Sequence, residues 1–242
     1  MILKTKSHFI PLMLLIGFLS FWQTRAQNNV FEAYDNIVSL ENTGLYNGTE
    51  FKDLYLYTDG SYRYFELFNF TEGSIVYNKQ YYSKVFFKYD LLEDLVITSS
   101  DDNLSIFSVK LIPENISSFS IYGHDFVRLP DTNLSEVGNG FFEEAYQGDS
   151  FSLYIKHRKR MKDKIVNNVV QYRFTENNFY VFQYKNEYHS IFSIKDLKKN
   201  FPEYKEQINT FYKIHKQLYK KDNSTFMIRL TEHLDRLKTT SN

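Results

Sequence analysis

The chain has 242 residues, with 29 Lys and Arg against 29 Asp and Glu, and it is 43% apolar and 18% aromatic. This composition excludes a disordered or collagen-like chain and predicts one globular domain with a sizeable core. No cysteine is present, which excludes disulfides, thiol catalysis and cysteine-ligated metal centres.

The first 26 residues have the features of a secretory signal peptide. Two lysines precede an apolar stretch over 9–21, and a small-x-Ala cleavage site ends at Ala26. The apolar stretch is shorter than the roughly 20 residues that span a bilayer. We therefore predict a signal peptide over 1–26 and a single exported β-rich domain over 27–242 without a transmembrane segment. A cysteine-free exported chain favours the periplasm or cell envelope of a Gram-negative bacterium, or secretion from it.

Charge is distributed unevenly along the predicted mature chain. Residues 27–149 carry a net charge of −13, whereas residues 150–242 carry +10. Such asymmetry indicates either an anionic partner for the basic half or two halves that complement each other within one fold.

Residues 52–193 have the pattern of short strands rich in Tyr, Phe, Ile and Val, separated by turn residues. Their regular spacing predicts antiparallel connections. A charged connection is predicted between the strands over 151–157 and 169–175. The predicted strands cover 53–58, 61–70, 73–77, 80–89, 95–99, 104–112, 116–122, 126–129, 140–147, 151–157, 169–175, 179–184 and 188–193.

At Ser193 the spacing of the apolar residues changes from every second residue, typical of a strand, to the spacing typical of a helix. Ser193 followed by Asp196 resembles a capping box, and the Phe201-Pro202 step predicts the end of a first short helix. A longer helix is predicted from Pro202 to about Tyr219, and a last one from Ser224 or Thr225. The C-terminal helical segment thus covers about 194–238.

Several short sequences together resemble a known family of proteins. They are the run 141–148 leading into 153–156, the segment 179–181, Ile194-Lys195-Asp196-Leu197 and Phe201-Pro202-Glu203-Tyr204 before two closing helices. This succession is similar to an exported, β-rich family of Bacteroidota without established activity. The resemblance implies export and a β-rich body with a helical C-terminus, and it provides no catalytic residues.

Two features that could indicate catalysis or metal binding, a Gly-Asp-Ser block and the histidines, have little support in the sequence. Gly148-Asp149-Ser150-Phe151 resembles the nucleophile block of GDS-type esterases, but it lies between two predicted strands, where Gly-Asp-Ser is ordinary turn chemistry. The chain also lacks the Asp-x-x-His that accompanies that block, so a hydrolase using Ser150 is not expected. The six histidines show no metal-binding spacing, and no metal site, cofactor or catalytic residue is predicted.

The densest local feature is a basic run over 156–164. We predict that it contacts an envelope protein or an anionic lipid or glycan, and nucleic acid is not expected as a partner of an exported protein. A solvated connection between strands is the alternative interpretation. The predicted binding residues are Lys156, Arg158, Lys159, Arg160, Lys162 and Lys164.

Taken together, the sequence predicts an α+β, mostly β, fold. An extended antiparallel sheet is folded as a sandwich, roll or incomplete barrel, with C-terminal amphipathic helices packed on it. The predicted function is that of a non-enzymatic exported envelope protein that binds a partner protein or an anionic surface component. The alternative is a periplasmic carrier that encloses a hydrophobic small molecule or lipid between sheet and helices.

Overall fold

The computed structural model describes residues 44–46, 48–55, 57, 60–99, 108–130, 134 and 136–239. The fold is mostly β, with 46% strand and 26% helix, and the C-terminal helices pack on a large antiparallel sheet that is not closed. This confirms the predicted fold class. The predicted signal peptide and the first part, 104–107, of the strand predicted over 104–112 lie outside the described residues.

Thirteen strands lie within the described residues. Their order in the main sheet is β1-β5-β4-β3-β2-β6-β7-β8-β9-β12-β13, and β10 and β11 pair only with each other. The strands are β1 Thr49–Glu50, β2 Thr71–Tyr77, β3 Gln80–Asp90, β4 Leu95–Ser99, β5 Ser108–Lys110, β6 Ile116–Ile121, β7 His124–Arg128, β8 Phe141–Gln147, β9 Phe151–Lys156, β10 Lys159–Val166, β11 Val169–Glu176, β12 Phe179–Tyr184 and β13 Glu187–Ile191.

The predicted hairpin over 53–70 is wrong. The described residues of this segment form only two isolated bridges, Tyr57 with Tyr172 and Tyr64 with Asp90. Side-chain contacts hold the segment instead, because the hydroxyls of Tyr57 and Tyr64 both donate to the carboxylate of Asp53, over 2.7 and 2.5 Å.

The predicted charged connection after β9 is a strand. β10 pairs with β11 along its full length, from Lys159 opposite Glu176 to Val166 opposite Val169. Asn167 and Asn168 join the two strands with φ angles of 50° and 61°. Asparagine tolerates this left-handed region, and the two residues form the tight turn that suits a hairpin. We call this two-stranded unit, residues 159–176, the ribbon.

The C-terminal helices begin where Ser193 accepts a hydrogen bond from the backbone N–H of Asp196, as predicted. The last helix begins at Asn223, one residue before the predicted start, because the carboxylate of Asp222 caps it by accepting from the N–H of Thr225 at 2.9 Å. The predicted long helix is broken at His215. The helices are α1 Ile194–Asn200, α2 Lys205–Ile214, α3 Lys216–Lys221 and α4 Asn223–Thr239.

Two large apolar clusters fill the interior. The first lies against β2 to β8 and contains Phe87, Tyr89, Phe119 and Phe126. The second lies between β9, β12 and β13 on one side and the helices on the other. Residues at alternate positions, such as Tyr154 and Val181, face a smaller cluster on the opposite side of the sheet.

Candidate functional site

The structure separates the six predicted basic binding residues into a buried lysine, two anchoring residues and an exposed group. Lys156, at the end of β9, is fully buried, and its ammonium lies 2.5 Å from the carboxylate of Asp94. Burial lowers the pKa of Lys156, and the charge of Asp94 opposes that shift. Lys156 therefore belongs to the protein interior and does not face solvent.

Arg158 and Lys159 fix the root of the ribbon. The guanidinium of Arg158 lies 5.5 Å from the centre of the Phe179 ring. The ammonium of Lys159 donates to the backbone carbonyls of Tyr62 and Tyr64 over 2.8 and 2.7 Å. Burial lowers the pKa of Lys159. These contacts attach the ribbon to segment 60–66.

Arg160, Lys162 and Lys164 are exposed. Because successive side chains in a strand point to opposite sides, these three residues share one face of the ribbon. Arg173 of β11 lies directly opposite Lys162 and is on the same face. We call this surface the basic face.

Near the root, the other face of the ribbon packs on the protein body through Tyr172 and Phe174. The Phe174 ring lies 5.6 Å from both Tyr55 and Tyr57, and the Tyr172 ring lies 4.9 Å from Tyr55. The single Asp of β10, Asp163, is at an alternate position and so belongs to this inner side. The packing leaves the basic face directed away from the body.

The end of the ribbon is apolar. Ile165 is 73% exposed, and Val169 and Val170 across the turn are 46% and 39% exposed. Ile165 pairs with Val170 on the side of the ribbon opposite the basic face, whereas Val169, in the next and last pair, is on the side of the basic face. We call this group the apolar tip, and it adjoins the basic face at Lys164.

A cleft of about 990 Å³ lies beneath the root of the ribbon. It is bounded by segment 60–66, by the strands β7 to β9, by the ribbon root and by the start of α4. The residues that line it include Tyr62, Phe65, Glu66, Leu91, His124, Glu143, Ile155, His157, Lys159, Glu176, Asn177, Asn178, Tyr180, Asp222, Ser224, Thr225 and Ile228.

A histidine–glutamate–histidine cluster forms part of the cleft wall. One oxygen of Glu143 lies 2.5 Å from Nδ1 of His124, and the other lies 2.6 Å from Nε2 of His157. Burial alone would raise the pKa of Glu143, but the hydrogen bonds and charges of the two imidazoles outweigh it and lower that pKa. Glu143 is then ionised at neutral pH and accepts an N–H from each ring. The Phe65 ring packs edge-on against both imidazoles.

Sequence reasoning did not identify this cluster. Its three members come from β7, from β8 and from the residue after β9, so only the strand register brings them together. No local spacing signals such a contact. In the part of the chain that the structure describes, no group of three or more His, Asp or Glu is arranged to hold a metal ion.

Gly148-Asp149-Ser150 is the turn between β8 and β9, as its residue types predict. The backbone N–H groups of Asp149, Ser150 and Phe151 all donate to the carboxylate of Asp235 on α4, over 3.2, 2.7 and 2.8 Å. The turn is therefore an anchor for the last helix.

No family model matches the chain, and neither a curated protein sequence nor a solved structure matches it. Among the helices of the described residues, none is both long and apolar enough to cross a membrane. The ribbon and the cleft are therefore the two features of the molecule from which a function can be inferred.

Proposed function

We propose that this protein is a non-enzymatic, exported protein of the cell envelope that docks on an anionic lipid surface through the ribbon. The observation that carries the proposal is the basic face. Arg160, Lys162, Lys164 and Arg173 share it, and within the fully described ribbon both carboxylates, Asp163 and Glu176, are on the other face. A surface of one charge sign attracts a surface of the opposite sign.

The apolar tip favours a lipid surface over an acidic protein. Ile165, Val169 and Val170 expose aliphatic side chains to water at the end of the ribbon, next to Lys164 in the chain or across the hairpin. Peripheral membrane binding combines burial of apolar area at the headgroup boundary with attraction of Lys and Arg to anionic headgroups. A ribbon that inserts its tip into the headgroup boundary would bury these aliphatic side chains and bring Lys164 to the headgroups.

The basic residues should contribute a measurable part of the free energy of membrane binding. A Lys or Arg near an anionic bilayer contributes about 1 kcal/mol, so removing three costs about 3 kcal/mol. This corresponds to roughly a 100-fold loss of affinity. Because the interaction is electrostatic, it also weakens as ionic strength rises.

Vesicle flotation tests the proposal. The predicted mature chain, residues 27–242, is mixed with vesicles of phosphatidylcholine containing phosphatidylglycerol, and with vesicles of phosphatidylcholine alone. We expect salt-sensitive binding to the anionic vesicles only, and its loss in the triple variant Arg160→Gln, Lys162→Gln, Lys164→Gln.

A matched control separates the ribbon from net charge. Lys213→Gln, Lys216→Gln, Lys220→Gln removes the same three charges from exposed positions on α2 and α3. This variant should bind as the wild type does. Equal loss in both triple variants, or no binding of the wild type to anionic vesicles, would contradict docking through the ribbon.

The alternative of a hydrophobic carrier lacks a specific observation in its favour. The cleft beneath the ribbon root is lined in great part by polar and charged side chains, among them His124, Lys159 and Glu176. A hydrophobic ligand requires a predominantly apolar lining. Lipid docking through the ribbon is therefore the function that the geometry supports best.

A further inference from the structure

The cleft beneath the ribbon has the dimensions of a small-molecule site. Its volume of about 990 Å³ lies at the upper end of the range of ligand pockets, about 300 to 1,000 Å³. It lies where the two large apolar clusters meet, since Phe65 belongs to the first and Ile155 and Tyr180 to the second. Rigid elements on several sides therefore fix its shape.

The cluster in the cleft wall has no evident structural benefit. Glu143 is 7% exposed and needs two imidazoles to satisfy its carboxylate. Ionised groups taken out of water are costly, and well-packed apolar residues would generally serve stability as well. Polar clusters of this kind in a cleft are concentrated at functional sites.

Glu143 fixes the orientation of the His124 ring in the cleft wall. The carboxylate engages Nδ1, which leaves Nε2 of the same ring for the cleft, and the side chain of His124 is 39% exposed. A hydrogen-bonding partner that fixes one ring nitrogen also fixes the tautomer and the orientation of the other. The cleft thus holds a preorganised hydrogen-bonding group.

The charges around the cleft indicate the class of ligand. Two ammonium groups, of Lys159 and Lys221, are present together with four carboxylates, and one of these, Glu143, is paired with the two imidazoles of the cluster. The lining therefore mixes both signs of charge and does not present a single sign as the basic face does. The other three carboxylates are those of Glu66, Glu176 and Asp222. Hydroxyl and amide side chains are frequent between them, and apolar side chains complete the lining. These polar groups are Ser61, Asn177, Asn178, Ser224 and Thr225, and the apolar ones include Phe65, Leu91, Ile155 and Ile228.

We infer that the cleft binds a small neutral polyhydroxylated molecule, a mono- or disaccharide, with His124 as a hydrogen-bonding contact held in place by Glu143. Hydroxyl groups both donate and accept, which matches the mixture of donors and acceptors in the lining. The C–H faces of a sugar ring match the apolar side chains of the lining. The site is separate from the basic face and does not depend on lipid docking.

Saturation-transfer NMR on the full chain tests this inference. The probes are glucose, galactose, N-acetylglucosamine and maltose, with glucosamine and glucuronate as charged comparators. We expect at least one neutral probe to saturate the site below about 10 mM, a free energy of roughly −3 kcal/mol or better, and to bind more tightly than the charged comparators.

Variants assign the binding to the cleft. His124→Leu and Glu143→Gln should each weaken it at least about tenfold, the loss of one good hydrogen bond. Asn177→Ala, at the ribbon root, is a milder third variant if either of the others fails to fold. His215→Gln, on the helical side and outside the lining, should leave the affinity within about twofold.

Two results would overturn the inference. One is the absence of saturable binding for every neutral probe, and the other is unchanged affinity in folded His124→Leu. The triple glutamine variant of the basic face should keep full saccharide binding, and His124→Leu should keep full vesicle binding. Failure of the saccharide site and failure of lipid docking are therefore distinguishable.

Discussion

The carboxylate of Asp235 on α4 accepts the backbone N–H of Ser150 in the β8–β9 turn over 2.7 Å, across 85 residues of sequence. The same carboxylate accepts the N–H groups of Asp149 and Phe151 and the hydroxyl of Tyr146. The turn that resembles an esterase nucleophile block thus binds an anion supplied by its own chain. This contact joins the last helix to the sheet.

Asp235→Asn should lower the free energy of unfolding by about 2 to 3 kcal/mol, because an amide replaces one accepting oxygen with a donor and loses the charge. Chemical denaturation measures the change. Asp163→Asn, an exposed position on the ribbon, is the control and should change stability by less than about 0.5 kcal/mol. Equal midpoints for wild type and Asp235→Asn would contradict the anchoring role.

The same contact predicts a pH dependence. Burial alone would raise the pKa of Asp235, but the hydrogen bonds from Phe151, Ser150, Tyr146 and Asp149 outweigh it and lower that pKa. A carboxyl group with a lowered folded-state pKa stabilises the fold above its unfolded pKa of about 4 and loses this contribution as the pH falls further. The stability difference between wild type and Asp235→Asn should therefore shrink below about pH 4.

The buried pair of Lys156 and Asp94 predicts non-additive substitutions. Asp94→Ala leaves the Lys156 ammonium without its counter-charge and should cost about 3 to 5 kcal/mol. Adding Lys156→Met to Asp94→Ala removes the stranded charge and should recover at least about half of the loss. Gly140→Ala should also destabilise, since Gly140 has a φ of 111° and an added Cβ would overlap both charged groups.

Unfolding free energies of the single and double variants form a double-mutant cycle for this pair. Additive effects of Asp94→Ala and Lys156→Met would mean that the two side chains do not interact.

Lys88 predicts a second pH effect, at alkaline pH, in which stability also rises with pH. Its ammonium is surrounded by the rings of Tyr64, Phe68 and Phe70, at 4.6, 4.4 and 4.2 Å. Burial lowers the pKa of Lys88 to about 8, with Asp53 opposing that shift. The unfolded chain keeps this proton up to about pH 10.5, so the folded state gains stability as the pH rises from about 8 to 10.5.

Lys88→Met lacks this titration. Between pH 8 and about 10.5, the unfolding free energy of the wild type should rise relative to that of Lys88→Met. A difference that stays constant across this range would show that Lys88 keeps its proton in the folded state.

The main sheet and the helices could be predicted because their signals are local. Apolar alternation and turn residues predicted β2 to β4, and Ser193 with Asp196 predicted the start of α1. The second strand of the ribbon, β11, was predicted over 169–175, but the first, β10, was missed because alternating Lys and Arg at 160, 162 and 164 have low strand propensity. The Asn167-Asn168 dipeptide between apolar residues was the available turn signal.

The site depends on contacts that no local pattern reveals. The basic run gave no indication that Lys156 is interior, because its partner Asp94 is 62 residues away. The same holds for Glu143, which meets His124 and His157 only through strand register. No local pattern reveals the contacts of Asp53 either. Its carboxylate accepts hydrogen bonds from Tyr57 and Tyr64, and these contacts hold the segment that was predicted to be a hairpin.

The most direct measurement of the central claim places a fluorescent reporter at the apolar tip. Trp22, the only tryptophan of the chain, lies in the predicted signal peptide, so in residues 27–242 Ile165→Trp reports on the tip alone. A matched reporter, Ile214→Trp in the same residues, occupies a similarly exposed position on α2, where Ile214 is 71% exposed.

Docking through the ribbon predicts a blue shift in the emission of the reporter at position 165 on addition of vesicles that contain phosphatidylglycerol, because the indole leaves water for the headgroup boundary. The reporter at position 214 should not shift, and neither reporter should respond to phosphatidylcholine alone. An unchanged emission at position 165, or an equal shift at both positions, would contradict docking through the ribbon.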